Sequence, residues 1–171
     1  MGLAFRDLVT AASVVAMSLT ASNSAFADSL INKTITYTSG GLTGGTFSVF
    51  IAPSGSVYES QFSGDPNTQG VRYKIGKTIE ETNTFTDVLG SKLTCSVSGA
   101  ATLSGNILRL KSVYHCSNGN FDHEAIIQID GDTCSVQRNE RNQGLAFGNA
   151  NVSSSCAIVS GNKLAPAKWL Q

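Results

Sequence analysis

Two histidines, four cysteines and one adjacent pair of glutamates are the side chains whose types and spacing could do chemistry. Any hydrolytic triad would have to use His115 or His123. His123 stands between Asp122 and Glu124, but neighbouring residues of a strand point to opposite faces, so those acids cannot both orient its ring. The pattern predicts a solvent-exposed histidine at a loop edge. Glu80 and Glu81 form the carboxylate pair, and a solvated turn suits them better than acid–base work. The charges Arg138, Glu140 and Arg141 also read as a solvated loop. His115-Cys116 followed by Asp122-His123 gathers metal-binding types, yet its spacing matches no paired C-x-x-C pattern. No nucleophile elbow, Walker loop, H-E-x-x-H or dinucleotide fingerprint occurs. The expectation is a non-enzyme with no metal and no cofactor. The alternative is a small exported hydrolase working through His123.

The cysteines Cys95, Cys116, Cys134 and Cys156 all fall in the second half of the chain. An even number behind an export signal reads as two disulfides. Pairing sequence neighbours, Cys95 with Cys116 and Cys134 with Cys156, closes the shortest loops at the lowest entropic cost. Each bridge would contribute about 3 kcal/mol.

The export signal itself is read in residues 1–27. Arg6 supplies a short positive region, Leu8 to Ala21 an apolar and small-residue run, and Ala25-Phe26-Ala27 an A-x-A cleavage pattern. The run is shorter than the roughly 20 residues a spanning helix needs. Cleavage before Asp28 leaves one domain, residues 28–171, in the periplasm or the extracellular medium. A chain of that size buries about 68% of its unfolded surface, enough for an ordinary core.

These residues must be positioned by strands, because the mature segment alternates rather than repeating at helical spacing. Val71, Tyr73 and Ile75 alternate with Arg72 and Lys74; Phe47, Val49 and Ile51 share one face against Ser48 and Phe50; Leu108 and Leu110 alternate with Arg109 and Lys111. Ala52-Pro53-Ser54-Gly55 supplies a turn into a return strand at Val57 to Phe62. Asp130-Gly131 predicts a type I′ hairpin with Ile129 opposite Asp132 and Ile127 opposite Cys134. Lys77 to Asn83 holds a single helical turn at most. The expected fold is all-β: an antiparallel meander closing as a sandwich or small barrel. Polar loops are expected at 40–45, 64–70, 117–122 and 139–155. The last of them carries Phe147 as its one large apolar residue.

Twelve basic and twelve acidic residues give a formal charge of zero, which excludes a basic nucleic-acid binder and a polybasic membrane-surface protein. A lipid-facing band with aromatic girdles is not evident either. One motif carries a resemblance. Ser54-Gly55-Ser56-Val57-Tyr58 resembles the S-G-x-x-Y motif of the membrane-bound and periplasmic C-type lysozyme inhibitors, small exported β-barrels with disulfides. The resemblance implies that this loop is offered to the lysozyme cleft, with Ser54 and Tyr58 as contacts. That family's downstream tryptophan-rich segment with a lysine-glycine pair has its nearest counterpart in Tyr73-Lys74-Ile75-Gly76-Lys77, which lacks tryptophan. The expectation is an exported, non-enzymatic protein with a binding or structural role. Its partner would be a protein or cell-wall glycan met through Ser54, Tyr58 or Phe147.

Overall fold

The computed structural model describes residues 29–39, 45–60, 70–86, 92–143 and 150–164. The expected signal peptide, residues 1–27, and Phe147 lie outside them. Ten antiparallel strands follow one another: β1 (Lys33–Ser39), β2 (Gly45–Ile51), β3 (Ser56–Ser60), β4 (Gly70–Lys74), β5 (Thr78–Thr86), β6 (Lys92–Ser104), β7 (Ile107–Cys116), β8 (Gly119–Asp130), β9 (Thr133–Gln143) and β10 (Ala150–Ser160). They form one sheet in the order β4-β3-β2-β1-β10-β9-β8-β7-β6-β5, a meander broken only where β10 returns to pair with β1. Of the two architectures expected, the sheet adopts the barrel and is nearly closed.

Alternation decides what lies inside. Ile35, Val49, Ile51, Val57, Leu108, Leu110, Ala125, Ile127 and Ile129 converge in the interior. Each such aliphatic side chain contributes about 1.5–3 kcal/mol by leaving water. The outward positions hold Thr102, Arg109, Lys111, Gln128 and Gln137, so polarity runs apolar-in and polar-out, the reverse of a lipid-facing barrel. No helix among the described residues is long and apolar enough to cross a membrane.

The two ends differ. At one, which we call the turn end, strands are joined through residues 52–55, 75–77, 105–106 and 131–132. Asn106 stitches this end together, donating from Nδ2 to the Ile129 carbonyl and accepting from the Ile129 amide on its own carbonyl, both at 2.9 Å. At the other, the loop end, stand the strand ends Ser39, Gly45, Ser60, Gly70, Thr86, Lys92, Gln143 and Ala150 and the turn at 117–118.

Closure comes by lapping rather than by edge pairing. β4 and β5 share no ladder beyond a bridge between Lys74 and Lys77, and β4 instead meets β6 through a parallel bridge from Ile75 to Ala101. A Cβ on Gly99 of β6 would stand 3.0 Å from the Arg72 carbonyl and 3.2 Å from the Tyr73 ring. The missing side chain therefore lets the β4 backbone lie against the inner face of β6. Arg72, on the outer face of β4, pairs with Glu81, which shares its face with inward-pointing Val97. An outer face thus meets an inner one, as in a rolled sheet whose edge overlaps itself.

Both disulfides join directly opposed residues of adjacent strands. Cys95 bridges to Cys116 across β6 and β7, and Cys134 to Cys156 across β9 and β10, with Cα separations of 4.1 and 5.1 Å. The pairing of sequence neighbours therefore holds, and the bridges point to an oxidising environment outside the cytoplasm.

Three expectations need correction. The β8–β9 hairpin turns on Gly131-Asp132, with Asp130 opposite Thr133, Ile129 opposite Cys134 and Ile127 opposite Val136. Gly131 has φ 59°, and Asn32 is the one described non-glycine residue with positive φ, so Asp132 does not share it. Glycine first is the type II′ arrangement, not type I′. The two-residue slip keeps every side chain on its expected face, because the strand period is two. Lys77 to Asn83 forms no helical turn; β5 runs through it, paired to β6 from Thr78. Much of the expected 139–155 loop is strand, since β9 extends to Gln143 and β10 begins at Ala150.

Candidate functional site

The apolar interior is interrupted by a group of polar side chains midway along the barrel. Tyr37 comes from β1, Glu59 from β3, Tyr73 from β4, Ser112 from β7, His123 from β8, and Arg138 and Glu140 from β9. Parity places them there. His123 keeps the phase of Ala125, Ile127 and Ile129, while Arg138 and Glu140 keep that of Cys134 and Val136. His123 is 4% exposed, Glu59 6%, Arg138 7% and Glu140 4%. The expectations of an exposed histidine at a loop edge and a solvated Arg138–Glu140 loop are both overturned. The strands simply continue past the point where charge suggested that they stop.

Glu59 is the hub. Its carboxylate accepts from the Tyr37 hydroxyl at 2.9 Å, the Tyr73 hydroxyl at 2.8 Å and His123 Nε2 at 3.0 Å. Ser112 Oγ lies 3.3 Å from the Tyr73 hydroxyl. On the far side of the imidazole, Arg138 Nε lies 3.4 Å from His123 Nδ1, and a Glu140 carboxylate oxygen stands 3.8 Å from the same nitrogen. Arg138 also pairs with Glu140 and lies 3.6 Å over the Phe47 ring, which stacks on Tyr37 at 5.3 Å.

Burial alone would raise the pKa of Glu59, but the charges of His123 and Arg138 and the hydrogen bonds from His123 and Tyr73 bring it down to about 2. Burial, then the adjoining Glu59 charge, pushes the Tyr37 and Tyr73 hydroxyls well above the usual phenol range. Glu59 is thus held ionised and both phenols protonated. Chemically this is a closed circuit. Both ring nitrogens of His123 face partners within the barrel, and Ser112 is engaged by tyrosine rather than by the histidine. The pieces of a Ser–His–Glu hydrolase share one space without the contact that would activate the serine.

The remaining candidates lie elsewhere. His115 points outward, with Nδ1 3.1 Å from Asn120 Oδ1, while Cys116 is spent in its disulfide, so the expected cluster of metal-binding types is split between faces. Among the described residues no three His, Cys, Asp or Glu side chains converge as a metal site would need. Glu80 is exposed and Glu81 is taken by Arg72.

The Ser54 motif occupies the β2–β3 turn, at the turn end. Ser54 Oγ accepts from the Ser56 amide at 3.3 Å, a local bond that shapes the turn. Val57 and Glu59 point inward, whereas Tyr58 points outward and stacks on Phe50 at 6.4 Å. Ser56 pairs with Lys74 on β4, and the Lys74 ammonium donates to the Ser54 carbonyl. Beside this corner, Lys74, Lys77, Thr78, Ile79 and Glu80 line an open groove of about 550 Å³ at the foot of the lapped seam. Ser54 and Tyr58 therefore sit on one corner. Gln143 and Ala150, the described residues on either side of Phe147 in the chain, lie at the opposite end. The sequence marked Lys74 only as part of the 73–77 segment; its place opposite Ser56 follows from the β3–β4 pairing.

No family model matches the chain, and no curated protein and no solved structure matches it.

Proposed function

We propose that this chain is an exported, non-enzymatic binding protein that meets its partner through the corner around Ser54. The carrying observation is the exposed Ser54-Gly55 turn, its carbonyl held by Lys74 from the neighbouring strand, beside an open groove. Binding surfaces are commonly built this way, as a loop presented by a rigid scaffold. The closed circuit around Glu59 supports the non-enzymatic half of the reading, since its acid–base groups are engaged with one another. The two disulfides support export to the periplasm or beyond.

A second, narrower reading is inhibition of a C-type lysozyme. It is favoured by one observation: the motif segment 54–58 lies beside 73–77, the nearest counterpart of that family's downstream segment although it lacks tryptophan, with Lys74 against Ser54. In this version Ser54 and Lys74 enter the lysozyme cleft, and Tyr58 braces the loop through Phe50.

The test is a titration of C-type lysozyme with residues 28–171, alongside Ser54→Ala and Lys74→Ala. Inhibition weakened about tenfold or more by either substitution, with the circular dichroism unchanged, supports both readings. No inhibition at high molar excess ends the lysozyme version. Binding of the natural partner unaffected by both substitutions would end the corner reading.

A further inference from the structure

The lapped seam is closed differently from every other strand boundary in the barrel. Elsewhere neighbouring strands share a ladder of paired residues. Among the described residues the seam is crossed by one parallel bridge, one amide bond from Gly76 to the Ala101 carbonyl at 2.9 Å, and the exposed Arg72–Glu81 pair. Exposed pairs of that kind add little. What else joins the two sides runs through the interior: Tyr73 of β4 reaches Ser112 of β7, and Glu59 of β3 reaches His123 of β8. Both Tyr73 and Glu59 belong to the β3–β4 hairpin, and Tyr73 also bonds to Glu59. The hairpin is thus pinned to β7 and β8 through Tyr73 and Glu59, while the β4 backbone rests on a glycine that offers no interlocking side chain.

We propose that the β3–β4 hairpin is a latched strap, that the barrel opens along the β4–β6 seam, and that the Tyr73–Ser112 and Glu59–His123 hydrogen bonds are the latch. Releasing them frees the hairpin to swing outward from β6 while its own ladder and the β2–β3 ladder persist. The interior is then reached without unravelling β7, β8 and β9. The polar circuit is therefore both a stabilising feature of the closed barrel and the group that opening would uncover.

The Gly76 amide reports on the seam because its bond crosses it, and the Ile129 amide, bonded to the Asn106 carbonyl at the same end, is the internal control. Native-state hydrogen exchange resolves such partial openings from global unfolding. In the unaltered protein Gly76 should exchange faster than Ile129. Tyr73→Phe removes one hydroxyl and keeps the ring. By removing the tie to Ser112 it should speed Gly76 exchange about fivefold or more, the effect of losing a hydrogen bond between neutral groups, and leave Ile129 within about twofold. Equal protection of the two amides in the unaltered protein would overturn the proposal, and so would a Tyr73→Phe variant that leaves Gly76 unchanged or speeds both alike. If Tyr73→Phe does not fold, the comparison in the unaltered protein still decides.

Discussion

A carboxylate that accepts three hydrogen bonds inside a barrel is held there by its partners, so Glu59 should behave as a stability determinant with a definite pH signature. Its folded value of about 2 lies below the ordinary 4.5. A depressed carboxylate contributes stability that is fully present above about pH 4.5 and is lost as the pH falls toward 2, on the order of 3 kcal/mol in all. Denaturant unfolding at pH 6 and pH 3 should show this loss in the unaltered protein. Glu59→Gln, which removes the carboxylate that His123 Nε2 and the Tyr37 and Tyr73 hydroxyls meet, should be less stable by about 3 kcal/mol at pH 6 and should lose much of the acid dependence. An unaltered acid profile in that variant would mean that other carboxylates carry it. The sequence did contain the signal for this site. Once Ala125, Ile127 and Ile129 are assigned to the interior, the same parity carries His123 inward, and Cys134 and Val136 carry Arg138 and Glu140 with them. The general scarcity of buried charge argued the other way, and it lost because the charges satisfy one another.

At the scale of elements, alternation made the strands legible and left their pairing partly open. The faces of β2, β4, β7 and β8 follow from residue order alone, as does the disulfide pairing once short loops are preferred. What alternation does not carry is register. Either Asp130-Gly131 or Gly131-Asp132 can turn the chain while keeping Ile127 and Ile129 inside, and the choice rests on which residue takes positive φ. The type II′ turn makes a separable prediction. Gly131→Ala should cost about 1 kcal/mol, since an L side chain is strained at φ 59°, while Asp130→Ala, at the closing strand pair, should stay within about 0.5 kcal/mol. Thermal melts of the two variants distinguish the turn types, because a type I′ turn would make both substitutions costly. Non-local features were less legible still. The overlap of β4 on β6 depends on Gly99 standing under Arg72 and Tyr73, residues that no local pattern connects.

For the whole molecule, the parts divide the labour. The turn end is stitched by Asn106 and carries the Ser54 corner; the middle is held by the Glu59 circuit; adjacent strands are crosslinked at two levels by disulfides. The proposed binding role rests on the braced loop that the barrel turns outward at the Ser54 corner. The fold is also tied to its compartment, because both crosslinks need an oxidising environment to form, and together they contribute about 6 kcal/mol on the loop-closure estimate.

Export and the two disulfides are tested together by the intact mass of the protein recovered from outside the cytoplasm, before and after reduction. A chain beginning at Asp28 is expected, with a mass that rises by about 4 Da on reduction and no thiol open to alkylation beforehand. A chain retaining Met1, found in the cytoplasm with four reactive thiols, would contradict both.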